Sequence, residues 1–537
     1  MKQDVLIVGG GPTGMTLALQ LHRYGVPFRI IEKRRPEPSP SKALSINPAS
    51  LQLLNDLGLA DSLVALGHKT EVINLLYGNR PLTRARFSRL QHKYPFFLML
   101  PQPETEQILE QRLNQLGYQV ERDCELLSLD PRANEVQVLL RQGSRQQVRT
   151  YAYVAGCDGG LSKVRECLGL PFEGYDYQMH FLLADLRIRW PGNHDQGHYF
   201  VRDDGFLILL PLKSGYHRIV IKANAQCPPG YKPTLAEIRE YIARYQIADL
   251  EVEDPIWLSS APFYNRSAPH FRRGRVFIAG DAAHLFSPIG GFGMNSGIAD
   301  AFNLGWKLGY SFNGAGNEAL LDSYHDERHR NTEKLLGKTD RSTSLIARLD
   351  RHQPADEQAY LPRMSNRAFA RLFPWEASGL NLAYGPADAP PLPGQALQAG
   401  RQLPYVADTG IPGSDSLALL GDGRHSLFLV PPTDEAGIRQ ALLLLERLQH
   451  AGQGLIRPRL LTDAGHSGRA LPPDLCLYDE QRRLRQAYGL SEGDWILVRP
   501  DLYVASCGQL QQTEPLWQAL LHLHGFTAAL QPARQAG

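Results

Sequence analysis

The stretch Asp4–Glu32, DVLIVGGGPTGMTLALQLHRYGVPFRIIE, decides how the rest of the chain must be arranged. Val5 to Val8 is a short apolar, β-branched run of the kind buried on both faces of a parallel sheet. Gly9, Gly11 and Gly14 complete G-x-G-x-x-G as the pattern turns helical, with Leu17, Ala18 and Leu21 on one face and Gly25 placed to end the helix. A second strand, Phe28 to Ile31, ends on Glu32, about twenty residues past the glycines, where dinucleotide folds keep a ribose-binding acid. Each glycine has its own reason: Gly9 permits a tight turn, Gly11 lets backbone approach a pyrophosphate, and Gly14 lets helix and strand touch. An ordinary strand-turn-helix could carry such glycines by chance. Here strand, helix, second strand and acid all fall at the required distances, which favours dinucleotide binding. Glu32 would repel a 2′-phosphate, so the nucleotide should be FAD or NAD.

Composition bounds the remainder. A chain of 537 residues exceeds one hydrophobic core and implies two or three domains. Hydrophobic content of 43% and charged content of 21% are those of a soluble globular protein, and a net charge of +2 gives no argument for nucleic acid or an acidic membrane. The start, MKQDVLIVGGG, reads as the first strand and not as a signal peptide, and no apolar run approaches a membrane span. Six cysteines include no C-x-x-C and no zinc-like spacing, which predicts reduced thiols in a cytoplasmic protein and no metal.

Further along, Asn47-Pro48 should open a helix through Leu51, Leu54 and Leu57 to Gly58, after a proline-rich loop and Ser41-Lys42-Ala43. Residues 68–100 read as irregular strands. Pro101 to Glu104 begins a helix carrying Ile108, Leu109, Leu113 and Leu116 and stopping at Gly117. Cys124 to Val148 alternates as a hairpin or meander. Tyr151 to Leu170, YAYVAGCDGGLSKVRECLGL, places Asp158-Gly159 at a strand end before a helix that starts near Ser162 and carries Arg165. From about 175 to 270, runs such as Phe181 to Ile188, Gly205 to Pro211 and His217 to Ala223 read as antiparallel strands of a separate sheet, with His180, His198, Tyr199 and Tyr216 on or near them as packed or rim residues.

Gly274 to Gly309, GRVFIAGDAAHLFSPIGGFGMNSGIADAFNLGWKLG, is the next decisive segment. A strand from Arg275 to Ala279 ends at Gly280-Asp281, and Gly290, Gly291 and Gly293 lead into a helix opening at Met294-Asn295. Asp281 can accept a bond from a polyol hydroxyl. The helix start offers N–H groups and a positive dipole end, suited to a reduced flavin that is anionic at N1 and O2. His284 reads as a packing residue and Trp306 as core.

These three motifs, in this order and with this insertion, resemble the p-hydroxybenzoate hydroxylase-type, single-component FAD monooxygenases, whose fingerprints are G-x-G-x-x-G, DG and GD. The pattern is most similar to the larger phenol, hydroxyphenylpropionate and pentachlorophenol hydroxylases and polyketide-tailoring relatives. The resemblance implies noncovalent FAD held by Gly9, Gly11, Pro12, Thr13, Gly14, Glu32, Lys33, Lys42, Gln102, Asp158, Gly159, Asp281, Pro288, Gly293, Met294 and Asn295. Glu32 would meet the ribose and Asp281 the ribitol. Pro288, Gly290, Gly291 and Gly293 would line the flavin ring, and Asp158 and Gly159 would also serve a transient NADPH or NADH. Lys42 stands where the family commonly has an arginine, so it keeps charge without the planar fork.

The implied fold is α/β: a Rossmann-like FAD-binding domain in two parts (1–174 and 273–345), an inserted antiparallel-sheet substrate domain (175–272), a helical segment and proline-rich linker (346–394), and a thioredoxin-like C-terminal domain (395–537). Arg499-Pro500-Asp501 with Tyr503-Val504-Ala505 carries that last resemblance, and Cys476 and Cys507 make no redox pair. The implied activity uses NAD(P)H and O₂ to hydroxylate a phenolic or polyketide-like aromatic substrate through a flavin C4a-hydroperoxide, in a monomer or homodimer. A flavin dehydrogenase on the same fold is the alternative. A halogenase is disfavoured because no W-x-W-x-x-I occurs, and a non-catalytic binding protein because three cofactor motifs are intact.

Overall fold

The computed structural model describes residues 4–35, 43–202, 205–223, 228, 231–348, 367–385, 397–411, 413–452, 454–466 and 471–523. The expected first strand, Val5–Val8, is fully buried and lies inside a six-stranded sheet. In spatial order the sheet runs Arg272–Arg273, Val276–Ile278, Tyr153–Gly156, Val5–Val8, Phe28–Glu32 and Glu121–Arg122. All neighbours are parallel except the outermost Arg272–Arg273. The chain leaves Val5–Val8 for Phe28–Glu32 on one side and returns on the other at Tyr153–Gly156. A crevice therefore opens at the carboxyl ends of these strands, the switch point at which open α/β sheets take ligands.

Two helices pack at that switch point because small residues let them approach. Pro12–Arg23 meets Phe292–Phe312 where a Cβ added to Gly297 would lie 2.2 Å from Thr13 Oγ1, and one added to Gly305 would lie 2.5 Å from Gln20 Cβ. Asn47 caps the expected helix Pro48–Asp56 by accepting from Ser50 N–H at 2.9 Å. Cys124–Pro131, Val136–Gln142 and Arg145–Tyr151 form the expected meander.

The second sheet has eight strands and is wider than the segment 175–272 suggested. Glu173–Arg189 and Glu251–Ser267 pair antiparallel near one end, but Val72–Tyr77 and Arg80–Arg86 complete the other, and His284–Leu285 joins as an edge. Val72–Tyr77 docks parallel to Gly197–Arg202, a pairing across more than a hundred residues that alternation within either segment cannot reveal. The sheet's two faces differ. Helix Leu235–Ala243, started by a Thr234–Glu237 capping box, seals one face over Phe200, Leu207, Leu209, Ile219 and Ile221. On the other face Tyr199, Ile208 and Val220 are cross-strand neighbours on three adjacent interior strands, yet each is only half-buried.

After the long helix Glu318–Arg348 the described chain resumes with helix Arg367–Ala377; most of the expected linker, with Pro386, Pro390, Pro391 and Pro393, lies outside the described residues. A five-stranded mixed sheet follows, ordered Cys476–Tyr478, Ile456–Thr462, His425–Leu429, Asp494–Val498, Val504–Gln509. The first three are mutually parallel and the last two are antiparallel to their neighbours. Cys476 and Cys507 stand on opposite edges of this sheet, so they cannot form a bond; the five cysteines among the described residues are all free. Among the described residues no helix is long and apolar enough to cross a membrane, and no acid, histidine or cysteine cluster could hold a metal ion.

A charge network fastens this last sheet to the nucleotide domain. The Glu327 carboxylate accepts from Asn303 Nδ2 and Lys307 Nζ, each at 2.7 Å, and from Arg499 Nη1 at 2.6 Å. Arg499 also donates to Asp501, which accepts from the Trp306 indole at 3.2 Å. Burial alone would raise the Glu327 pKa, but Arg499 and Lys307 hold it far below the usual carboxylate range. Burial pulls Lys307 down to about 8. Glu327→Gln leaves two enclosed cations short of a counter-charge and should lower the unfolding free energy by about 3 kcal/mol, read from denaturant melts. Asp130→Asn, removing an exposed partner of Arg132, should change it by less than about 1 kcal/mol.

Candidate functional site

The first glycine turn does more than permit a bend. Gly9 has φ +114°, and a Cβ there would lie 2.2 Å from the Cys157 carbonyl oxygen, so the first and second motifs are in backbone contact. A Cβ at Gly14 would lie 2.0 Å from the Gly9 carbonyl oxygen, which closes helix onto strand end. Gly11 differs: its φ of −81° suits any residue, and a Cβ there would meet nothing within 4 Å. That open cradle faces the N-terminus of Pro12–Arg23, whose first turn holds no acid. Glu32 is buried at its edge, with Oε2 accepting from Gly10 N–H at 3.0 Å and Oε1 from Arg34 N–H at 2.9 Å. Burial would raise its pKa, but the bonds from Arg34 and Gly10 leave it below the ordinary glutamate value, hence ionised at neutral pH. Lys33 is exposed just beyond, and Lys42 lies outside the described residues.

In the second motif both Asp158 oxygens are engaged by its own turn. Oδ1 accepts from Ser162 Oγ at 2.6 Å, and Oδ2 from Lys163 and Val164 N–H at 2.7 and 3.1 Å. Its burial outweighs these bonds and raises its pKa. Gly159 follows at φ +79°, with open space where a Cβ would stand. Arg165 ties this loop to the third motif: Nη2 donates to the Gly160 carbonyl at 2.7 Å and Nη1 to the Ala282 carbonyl at 2.8 Å.

The third motif is fixed from behind. Gly280, at φ +59°, rests on the Thr13 side chain, so Thr13 packs between Gly280 and Gly297. Asp300 accepts from Gly280 N–H at 2.9 Å, His284 Nε2 at 2.7 Å and Arg328 Nε at 2.6 Å, all fully enclosed. Arg328 and His284 keep Asp300 ionised despite its burial, with a pKa far below the usual range. This bracing presents Asp281 at the surface of the crevice.

The helix opens at Phe292, two residues earlier than expected, because Gly291 takes a left-handed conformation (φ +67°) that ends the loop there. No side chain caps this helix and no acid stands in its first turn, which leaves its positive end open toward the crevice. Pro288 is exposed on the loop; Gly290, Gly293 and Met294 are partly buried. Asn295, expected among the residues holding FAD, turns inward. Its amide donates to the Ser45 and Gly291 carbonyls at 2.9 and 2.7 Å, and its oxygen accepts from Asn47 N–H at 3.0 Å. Gln102 similarly braces backbone, its Oε1 accepting from Ala43 N–H at 3.2 Å.

The sequence reading missed Arg165, Asp300 and Arg328 as positioning residues. A signal existed for Asp300: it is the only acid in the largely apolar helix Phe292–Phe312, and an acid that such a helix buries requires a partner.

The FAD binding domain family profile matches residues 2–339. The chain is 33% identical to 6-methylpretetramide 4-monooxygenase of Streptomyces rimosus, over 97% of this chain and 93% of that protein. It is 30% identical to pentachlorophenol 4-monooxygenase of Sphingobium chlorophenolicum, covering 96% of each. The solved structure of the OxyS anhydrotetracycline hydroxylase from Streptomyces rimosus superposes with a TM-score of 0.73 at 28% identity, covering 98% and 99% of the two chains. The chain therefore belongs to the FAD binding domain family, within its FAD-dependent aromatic monooxygenases.

The open cradle at Gly11 yields a sharp test. Gly11→Val should fold with stability within about 1 kcal/mol of wild type in the flavin-free state, because its backbone angle is ordinary and nothing is near. The purified variant should nevertheless retain little FAD, measured by absorbance after dialysis. Arg165→Met should also lower FAD retention, since each charge-assisted bond it loses is worth about 1.5–3 kcal/mol.

Proposed function

We propose that this enzyme hydroxylates an electron-rich aromatic ring held between the open face of the eight-stranded sheet and the Pro288–Gly291 loop. One observation carries this reading. Tyr199, Ile208 and Val220 form a half-buried apolar row at the middle of a wide sheet, and Ile289 of the loop packs against the same cluster. A half-buried apolar row at the middle of a sheet, beside the glycine-rich loop, suits a flat apolar ligand.

FAD fits the crevice noncovalently. The Gly11 cradle and the Pro12–Arg23 N-terminus suit its pyrophosphate, ionised Glu32 the adenosine ribose, and Asp281 the ribitol. The uncapped start of Phe292–Phe312 suits the electron-rich edge of the flavin ring. FAD held there would supply the redox and oxygen-transfer chemistry, with NADPH or NADH as electron donor and O₂ as the source of the oxygen atom. The chain's own residues orient substrate and exclude water. With Asp158 wholly engaged by its own turn, its part is to shape the loop, and Gly159 offers the open surface for cofactor or donor. The division into an FAD-binding domain, a sheet domain and a C-terminal domain remains our assignment, with Val72–Arg86 contributing to the sheet. We read the C-terminal domain as thioredoxin-like, a reading that its mixed five-stranded sheet supports, without a thiol pair.

The right phenolic substrate should accelerate flavin reduction at least tenfold, equivalent to about 1.4 kcal/mol, because it favours one flavin position over another. Anaerobic stopped-flow at saturating donor measures this, and ¹⁸O₂ should label the product. Equal reduction rates with no label in product would instead support a dehydrogenase.

A further inference from the structure

The arginine that braces the Gly280–Asp281 turn is itself held from outside the nucleotide-binding sheet. Arg328 is fully enclosed on the helix Glu318–Arg348, and each guanidinium nitrogen donates once among the described residues. Nε reaches Asp300 Oδ1 at 2.6 Å, Nη2 the Ser296 carbonyl at 3.2 Å, and Nη1 the Tyr384 hydroxyl at 3.3 Å. The first two acceptors stand on the helix Phe292–Phe312, at the crevice. The third is set in the C-terminal sheet. The Tyr384 ring stacks on that of Tyr503, with centroids 4.0 Å apart and planes at 30°, and the Arg499 guanidinium carbon lies 4.8 Å from its centroid. Tyr384 N–H donates to the Gly400 carbonyl at 2.6 Å, and Gly400 N–H donates to the Val504 carbonyl at 2.8 Å, on the edge strand Val504–Gln509. Gly400 has φ +82°, and a Cβ there would lie 1.5 Å from the Tyr384 carbonyl oxygen, so this crossing admits no side chain.

A guanidinium is a rigid planar fork, so its three contacts do not adjust independently. Without the Tyr384 hydroxyl, Nη1 is an enclosed cationic donor with no acceptor, and the fork relieves this only by rotating, which moves Nε against Asp300. Asp300 Oδ2 accepts from Gly280 N–H and from His284, while Oδ1 accepts from Arg328. A shift of that carboxylate therefore reaches the Gly280–Asp281 turn directly. His284 and the Arg165 bond to the Ala282 carbonyl hold the same turn from the nucleotide side. The Tyr384 arm adds a dependence on how the C-terminal sheet is seated. Such coupling is reciprocal: whatever a seated sheet does for FAD, bound FAD does for the seating of the sheet.

We infer that Tyr384 is a positioning residue for the cofactor: its hydroxyl, seated by Tyr503, sets Arg328 and through it the Gly280–Asp281 turn, so FAD affinity and docking of the C-terminal sheet are coupled, given the reading above that this turn holds FAD.

The test uses the full chain stripped of FAD and titrated with it, at a temperature where circular dichroism shows each variant folded. Binding is read from flavin fluorescence. Tyr384→Phe, which keeps the stacked ring and loses only the hydroxyl, should bind FAD at least about fivefold more weakly than wild type. Tyr503→Leu should weaken binding as well, and serves if Tyr384→Phe does not fold. Hydrogen exchange supplies a readout that packing alone does not move. In wild type, FAD should slow exchange in the peptides carrying Tyr384 N–H and Val504 N–H by a similar factor, and leave the far edge strand Cys476–Tyr478 of the same sheet unchanged. In Tyr384→Phe saturated with FAD that slowing should disappear. FAD affinity unchanged in Tyr384→Phe, or in Tyr503→Leu where it stands in, overturns the coupling while leaving the FAD crevice in place. Slowing that is equal at both edges of the sheet, or that persists in Tyr384→Phe, overturns it too. FAD affinity unchanged in Asp281→Ala removes the turn from the FAD site and this inference with it.

Discussion

The buried carboxylate of Asp300 is the constraint on which the cofactor crevice depends. It stands on the glycine-rich helix and reaches the Gly280 backbone, His284 and Arg328, while Arg328 reaches on to the Ser296 carbonyl at 3.2 Å and the Tyr384 hydroxyl at 3.3 Å. One ionised group thus fixes the turn that presents Asp281, the helix whose positive end faces the crevice, and the long helix behind both. A charge so enclosed is tolerable only because several donors surround it, and the same donors make its position unique.

Close approach is the second condition. Thr13 sits between Gly280 and Gly297, and Gln20 and Tyr24 lie over Gly305 and Gly309. These contacts bring the two helices that border the crevice together, so each glycine is a packing requirement where any larger side chain would separate the motifs. The Glu327–Arg499–Asp501 network then carries that geometry into the C-terminal sheet. The last sheet is thereby braced against the helices Phe292–Phe312 and Glu318–Arg348; its two edge cysteines stand on opposite strands and do not pair.

The eight-stranded sheet separates two tasks between its faces. Helix Leu235–Ala243 seals one face into a conventional core, and the other keeps a half-buried apolar row beside the Arg218–Asp185 pair. The alternation of side chains along each strand permits this division, because neighbouring residues such as Ile219 and Val220 belong to different environments.

The sequence by itself determined the nucleotide-binding unit, the order of the three motifs, the helix stops at Gly25, Gly58 and Gly117, and the existence of an inserted sheet. Each of these is a local signal: a glycine whose backbone angle is required, an acid at a set distance, an alternation within one run. The tertiary structure alone decided that Val72–Arg86 completes the sheet, that Arg165 and Asp300 position the loops, and that Asn295 and Asp158 bond to the chain's own backbone. It also decided which sheet face the helix Leu235–Ala243 covers. Apart from Asp158, which bonds within its own turn, those outcomes depend on partners tens to hundreds of residues away, such as Gly197 beside Ile73 or Arg328 beside Asp300. Periodicity within a segment says which side chains share a face; it does not say what that face meets.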